Sequence, residues 1–157
     1  MYRPDEIPKL FKELDDRLTR IENNSIILVP VSDDFEHWPI PMLLTGLLFG
    51  EARNQPDIAK IGVAFVVENR VRLGGWYGKS HHEVILKKNQ FSCFNENDPN
   101  RKKILNPLKY EKLDVWINCW KIAQGVLEGR FLDPTYRKNL RKRAVNYFDK
   151  SLKDNPP

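Results

Sequence analysis

Apolar residues in this chain recur mainly at helical rather than strand spacing. Ile7, Leu10, Phe11, Leu14, Leu18 and Ile21 alternate with charged residues, and Asp5 followed by Pro8 marks a helix start, so an amphipathic helix is expected over about residues 6 to 22. Residues 23–39 then run through Asn-Asn-Ser, a short β-like Ile26-Ile27-Leu28-Val29 and the stretch from Pro30 to Pro39, which reads as a lead-in. Beyond it, Met42, Leu43, Leu44, Leu47, Leu48 and Phe49 form a nearly all-apolar helix that runs directly into Gly50-Glu51-Ala52-Arg53. A second helix is expected from Asp57, as N-cap, to about Arg72. It carries Ile58, Ile61, Ala64, Phe65 and Val66 toward the core, and Gly74-Gly75 ends it. A short helical pattern follows at residues 81–88, then a polar loop at 95–100. A last strong helix is expected over about residues 109–127, with Leu113, Trp116, Ile117, Trp120, Ala123 and Leu127 on one face and Gly129 as its stop. The expected fold class is therefore mainly α, with any strands few and short. It divides into an N-terminal helix and lead-in, 1–38, and a compact domain, 39–157.

Composition changes this picture little: 41% hydrophobic and 30% charged residues in 157 are ordinary for one globular domain. The net charge of +5 favours an anionic partner: nucleic acid, a membrane surface or a phosphate-bearing wall. The basic cluster Arg137, Lys138, Arg141, Lys142 and Arg143 could contact phosphates but lacks a reading motif, so a solvated basic face is expected and nucleic-acid binding is not. No secretory signal opens the chain and no stretch has the length of a membrane span. Cys93 and Cys119 lack zinc-site spacing and are too few for a disulfide framework, so two buried thiols are expected. His81 and His82, adjacent on a helix, point in different directions and read as surface histidines; neither a metal nor a cofactor is expected.

Glu51 is the first charge after the apolar run, and a carboxyl partly removed from water has its acid form favoured, the state that donates a proton. Gly50 beside it would let a substrate approach closely. From position alone, an ion pair with Arg53 or Arg70 is the alternative. Trp116 and Trp120 read as core, whereas Trp76 and Tyr77, after Gly74-Gly75, read as rings for stacking on sugar.

Taken in order, Gly50-Glu51-Ala52-Arg53, Gly62-Val63-Ala64-Phe65-Val66-Val67-Glu68-Asn69-Arg70-Val71, Glu83-Val84-Ile85 and Gln90-Phe91-Ser92-Cys93-Phe94 resemble the spore-cortex-lytic and cell wall hydrolase family, often called SleB-like. Asp133-Pro134-Thr135 and Ala144-Val145-Asn146-Tyr147-Phe148-Asp149 look like its last motifs. The chain departs at Gln55, where the family has an acid, at Asn54, where it has a glycine, and at Asn146 and Asp149, where histidine and asparagine are common. It also ends where relatives usually continue into a tryptophan and a closing strand, so a natural short form, a frameshifted gene and a C-terminally truncated domain all fit.

The resemblance implies a lysozyme-like, mostly helical catalytic domain that cleaves the bond between N-acetylmuramic acid and N-acetylglucosamine in peptidoglycan, with Glu51 catalytic. It raises Gln90, Phe91, Ser92 and Tyr147 as substrate-binding residues, although Phe91 could be core and Tyr147 could only pack. Arg53, Asn69 and Arg70 would support the site, because Asn and Arg near a helix end satisfy carbonyls and carboxylates. Ordinary glycoside hydrolysis needs two flanking carboxylates, and no second is obvious. Glu68 suggests a solvated pair with Arg72, Glu83 one with Lys87, and Asp57 a cap. A lytic transglycosylase uses one carboxyl twice, as acid and then as base, and is the favoured reading. A muramidase or glucosaminidase, an N-acetylmuramoyl-L-alanine amidase and a non-catalytic wall-binding relative are the alternatives. Synthesis in the cytoplasm with action at the wall, as for a phage endolysin, and a trimmed secreted or spore enzyme both fit.

Overall fold

The apolar run beyond Pro39 forms helix α1 (Ile40–Ala52) in a computed structural model whose described residues are 8–9, 29–136 and 143–146. Pro41 occupies the first turn, where a missing N–H leaves no bond unmade. Leu43, Leu44, Leu47, Leu48 and Phe49 are fully buried, so α1 is covered on every side and is the axis of the core. Its one buried polar side chain, Thr45, returns its hydroxyl to the Pro41 carbonyl at 2.6 Å, which leaves no orphaned group.

Around α1 are placed α2 (Asp57–Leu73), α3 (His81–Ile85), α4 (Pro99–Leu105), α5 (Pro107–Tyr110) and α6 (Leu113–Leu127), with short 3-10 turns at Phe35–His37, Gly75–Tyr77 and Ser92–Phe94. Helix α6 makes the broadest contact with α1, and α2, α3 and α4 complete its cover. The fold is mainly α, and no strand occurs among the described residues. Most of the helix expected over residues 6 to 22, and Ile26 to Leu28 of the β-like run, lie outside the described residues. The lead-in is not a bystander: Phe35 and Trp38 are buried in the same core, Phe35 standing edge-on to both Trp38 and Phe94.

Several expectations are corrected. Pro56, not Asp57, holds the cap position of α2; Asp57 is the first helical residue, and its Oδ1 accepts from Asn118 Nδ2 at 3.1 Å. Ile58 is 48% exposed, because the buried stripe of α2 runs through Ile61, Ala64 and Val67 and turns the first helical turn outward. Gly74, at φ +64°, does end α2, in a backbone region that a side chain would strain. The last helix begins at Leu113 rather than near residue 109, because Glu111 and Lys112 are extended and separate it from α5. Its buried stripe is Trp116, Cys119, Ile122, Ala123 and Val126, while Leu113 and Trp120 lie toward the rim.

Candidate active site

Glu51 stands in the last turn of α1, half-buried, and its Oε1 accepts the Cys93 backbone N–H at 3.1 Å. That contact depends on Gly50, where an added Cβ would lie 2.7 Å from Cys93 Cβ and from Ile104 Cδ1. The close approach that Gly50 permits is therefore made by the protein's own 92–94 turn, not by a substrate. Cys93 is fully buried; burial, and next the Glu51 carboxylate, push its thiol well above the ordinary cysteine range.

Both arginines suggested as Glu51 partners hold other groups. Arg53 donates through Nη1 to the Phe49 carbonyl (3.1 Å) and Asn100 Oδ1 (3.0 Å), and through Nε to Glu111 Oε1 (3.2 Å). It thus caps α1 and ties it to α4 and to the link before α6. Arg70 reaches the other way, with Nε to the Val145 carbonyl at 2.7 Å and Nη2 to Asn146 Oδ1 at 3.2 Å. Asn69 donates to both Asp133 Oδ2 and the Ala144 carbonyl at 2.9 Å. Asp133 Oδ1 accepts from the Thr135 N–H and hydroxyl, and that hydroxyl accepts the Ala144 N–H at 3.1 Å. A segment without regular structure is thereby held to α2 by side chains.

The result is a cavity of about 250 Å³ between α1, α2 and that segment, lined by Glu51, Gln55, Gly62, Thr135, Asn146 and small apolar residues. Glu51 is the one acidic side chain among its described lining residues. The other carboxylates considered have different partners: Glu68 Oε1 lies 2.6 Å from His81 Nε2, and Glu83 Oε2 accepts the Lys79 N–H at 2.7 Å. His81 and His82 are accordingly half-buried rather than surface residues, His82 Nε2 lying 2.8 Å from the Trp38 carbonyl oxygen. No group of three or more potential metal ligands occurs among the described residues. No described helix is long and apolar enough to cross a membrane.

Of the other proposed sugar contacts, Trp76, Tyr77, Gln90, Phe91 and Ser92 do not line this cavity. Phe91 takes the core alternative at 2% exposed, beneath the Arg70 guanidinium, 5.0 Å from the ring centre. Arg70 also covers Tyr77 at 5.4 Å. Trp76 is 67% exposed, with Lys87 Nζ 4.0 Å from its ring centre. Gln90 is half-buried and Ser92 exposed, while Tyr147 and most of the basic cluster lie outside the described residues. The cavity residues that sequence reasoning missed are Thr135, Asn146 and Gly62. All three fall inside the quoted motifs, so the signal was present, but their shared position arises only when residues 133–135 and 144–146 are held against α2.

A family model described as cell wall hydrolase matches residues 54–154, a span that begins just beyond Arg53. No curated protein and no solved structure matches the chain.

Proposed function

This chain belongs to the cell wall hydrolase family, and from that premise we propose that it cuts the glycosidic bond between N-acetylmuramic acid and N-acetylglucosamine in peptidoglycan, as a lytic transglycosylase with Glu51 as acid and base in turn. The observation that carries this reading is that Glu51, half-buried and steadied by the Cys93 N–H, is the one carboxyl among the cavity's described lining residues. A hydrolase of the ordinary kind needs a second carboxylate across the scissile bond. In the proposed reaction, protonated Glu51 gives its proton to the glycosidic oxygen as that oxygen leaves the muramoyl C1. The resulting carboxylate takes the proton of the muramoyl 6-hydroxyl as O6 bonds to C1 and closes the 1,6-anhydro ring. Glu51 ends protonated, ready for another turn, and no water is consumed.

The Cys93 N–H donates to Glu51 Oε1 and fixes the orientation of the carboxyl. Arg53, Asn69 and Arg70 act as supports, by fixing the end of α1 and the wall opposite. Gln90, Ser92, Trp76 and Tyr77 are assigned to sugars farther along the strand.

The test is mass spectrometry of fragments released from purified peptidoglycan. Wild type is expected to yield 1,6-anhydromuramoyl ends, and Glu51→Gln to lose about 10²–10⁴-fold in rate, the usual contribution of a positioned proton donor. Reducing ends would instead mean hydrolysis, and undiminished release by the variant would remove Glu51 from the mechanism.

A further inference from the structure

We propose that the cavity beside Glu51 is an acetamido subsite, which takes the N-acetyl group of one amino sugar with its methyl against α2 and its carbonyl on Asn146. The inference rests on the glycan-cleaving reading of Glu51 and adds what that site recognises. At about 250 Å³ the cavity is smaller than the roughly 300–1,000 Å³ of sites that enclose a whole drug-sized ligand. It fits one substituent of a polymer better than a length of strand. The α2 wall is made of Ala59, Gly62, Val63 and Val66, short side chains that present methyl groups or none. Gly62 is not required there by packing, since an added Cβ would meet only Thr135 Cγ2, at an ordinary 3.7 Å. The space in front of it is open.

One polar group on the facing side has a fixed sense. Arg70 Nη2 donates to Asn146 Oδ1, and because a guanidinium can only donate, the amide oxygen is committed to it and Nδ2 remains as the donor. Thr135, in contrast, has its hydroxyl engaged on both sides, donating to Asp133 and accepting from Ala144. A small aliphatic wall facing one amide donor complements a methyl beside a carbonyl. A bare amine in the same place would leave the aliphatic wall without a methyl against it and Asn146 Nδ2 without a carbonyl acceptor.

The test compares kcat/KM on purified peptidoglycan glycan strands and on the same strands chemically de-N-acetylated, for wild type, Glu51→Gln, Asn146→Ala and Gly62→Val. Wild type is expected to lose at least tenfold on the de-N-acetylated strands. Asn146→Ala is expected to lose about tenfold on acetylated strands, through KM with kcat held, and to discriminate less between the two. Gly62→Val, which fills the subsite, is expected to lose at least as much on acetylated strands and little on the others. Equal wild-type kcat/KM on both strands, with Glu51→Gln inactive on both, would overturn the subsite and leave the glycan-cleaving reading intact. Undiminished discrimination in both folded variants would also overturn it. Wild-type fragments from Glu51→Gln would instead sink the glycan-cleaving reading itself.

Discussion

A Cβ on Gly50 would sit 2.7 Å from two side-chain carbons, Cys93 Cβ and Ile104 Cδ1, and 2.8 Å from Cys93 Sγ. Ile104 Cδ1 is a terminal methyl held by complete burial, but Cys93 Cβ is fixed directly to the backbone, so a substitution must push the 92–94 turn away from α1. That turn carries the N–H that holds Glu51. Gly50→Ala is therefore expected to destabilise the fold by about 1–3 kcal/mol, as overpacking does, and to slow cleavage about tenfold or more by loosening the carboxyl. Urea unfolding and turnover on peptidoglycan read the two effects separately; a variant with unchanged midpoint and rate would disprove the coupling. Glu51 stood out in the sequence because a lone charge after an apolar run is conspicuous along the chain. The reason for Gly50 was not readable, since Cys93 and Ile104 meet it from more than forty residues away and only packing tells protein from substrate as the neighbour.

Between helices, the most telling polar contact is the tie of α2 to α6. Lys60 is only 6% exposed, and its Nζ donates to Asn118 Oδ1 at 2.6 Å and lies 3.6 Å from Asp57 Oδ1. Asn118 in turn donates to Asp57, so one amide bridges ammonium and carboxylate. Removal of the bridge leaves a buried charge under-partnered, whereas removal of the lysine leaves Asp57, whose side chain is 42% exposed, still hydrated. Asn118→Ala is thus expected to cost about 1–3 kcal/mol, and Lys60→Met, which keeps the apolar stem, distinctly less. Denaturant unfolding of both variants ranks them, and the reverse order would refute the argument. The same helices show where periodicity fell short. Helix α1 was legible because every turn is apolar. Helix α6 has a polar stripe through Asp114, Asn118 and Lys121 but a broad apolar arc, with Leu113, Ile117, Trp120 and Leu127 on one line and Cys119, Ile122 and Val126 on another, so pattern alone could not say which line faces α1. Asp57 could not reveal that its carboxylate belongs to a contact 61 residues away.

Across the described residues, sequence pattern conveyed the helical class and most of the core, but not how Asp133 and residues 144–146 are held on α2, because Asn69 and Arg70 reach them over 64 to 76 residues through side chains with no periodic signature. Both cysteines were expected to be buried, and both are. This makes the stability of the entire fold depend on alkaline pH. Burial pushes the Cys119 thiol from 9.0 to about 12, against the smaller opposing pull of Lys60 and Arg53, and burial raises Cys93 as well. In the unfolded chain these thiols give up their protons near pH 9.0, while in the folded chain Cys119 keeps its own to about 12. Above pH 9 the unfolded state therefore binds fewer protons than the native one, and unfolding becomes easier as pH rises. The contribution is intact below pH 9 and is lost progressively toward pH 12, at no more than about 1.4 kcal/mol per pH unit for each thiol. Lys121 works in the opposite sense: partial burial lowers its pKa from 10.5, so its native state releases a proton first and gains stability over part of the same range. Wild type alone cannot separate the two. The difference between wild type and Cys119→Ala can, since Lys121 is common to both. The unfolding free energy of Cys119→Ala, followed by urea titration from pH 8 to 11, is expected to fall less steeply than that of wild type, and parallel slopes would show that Cys119 is not held as the protonated thiol.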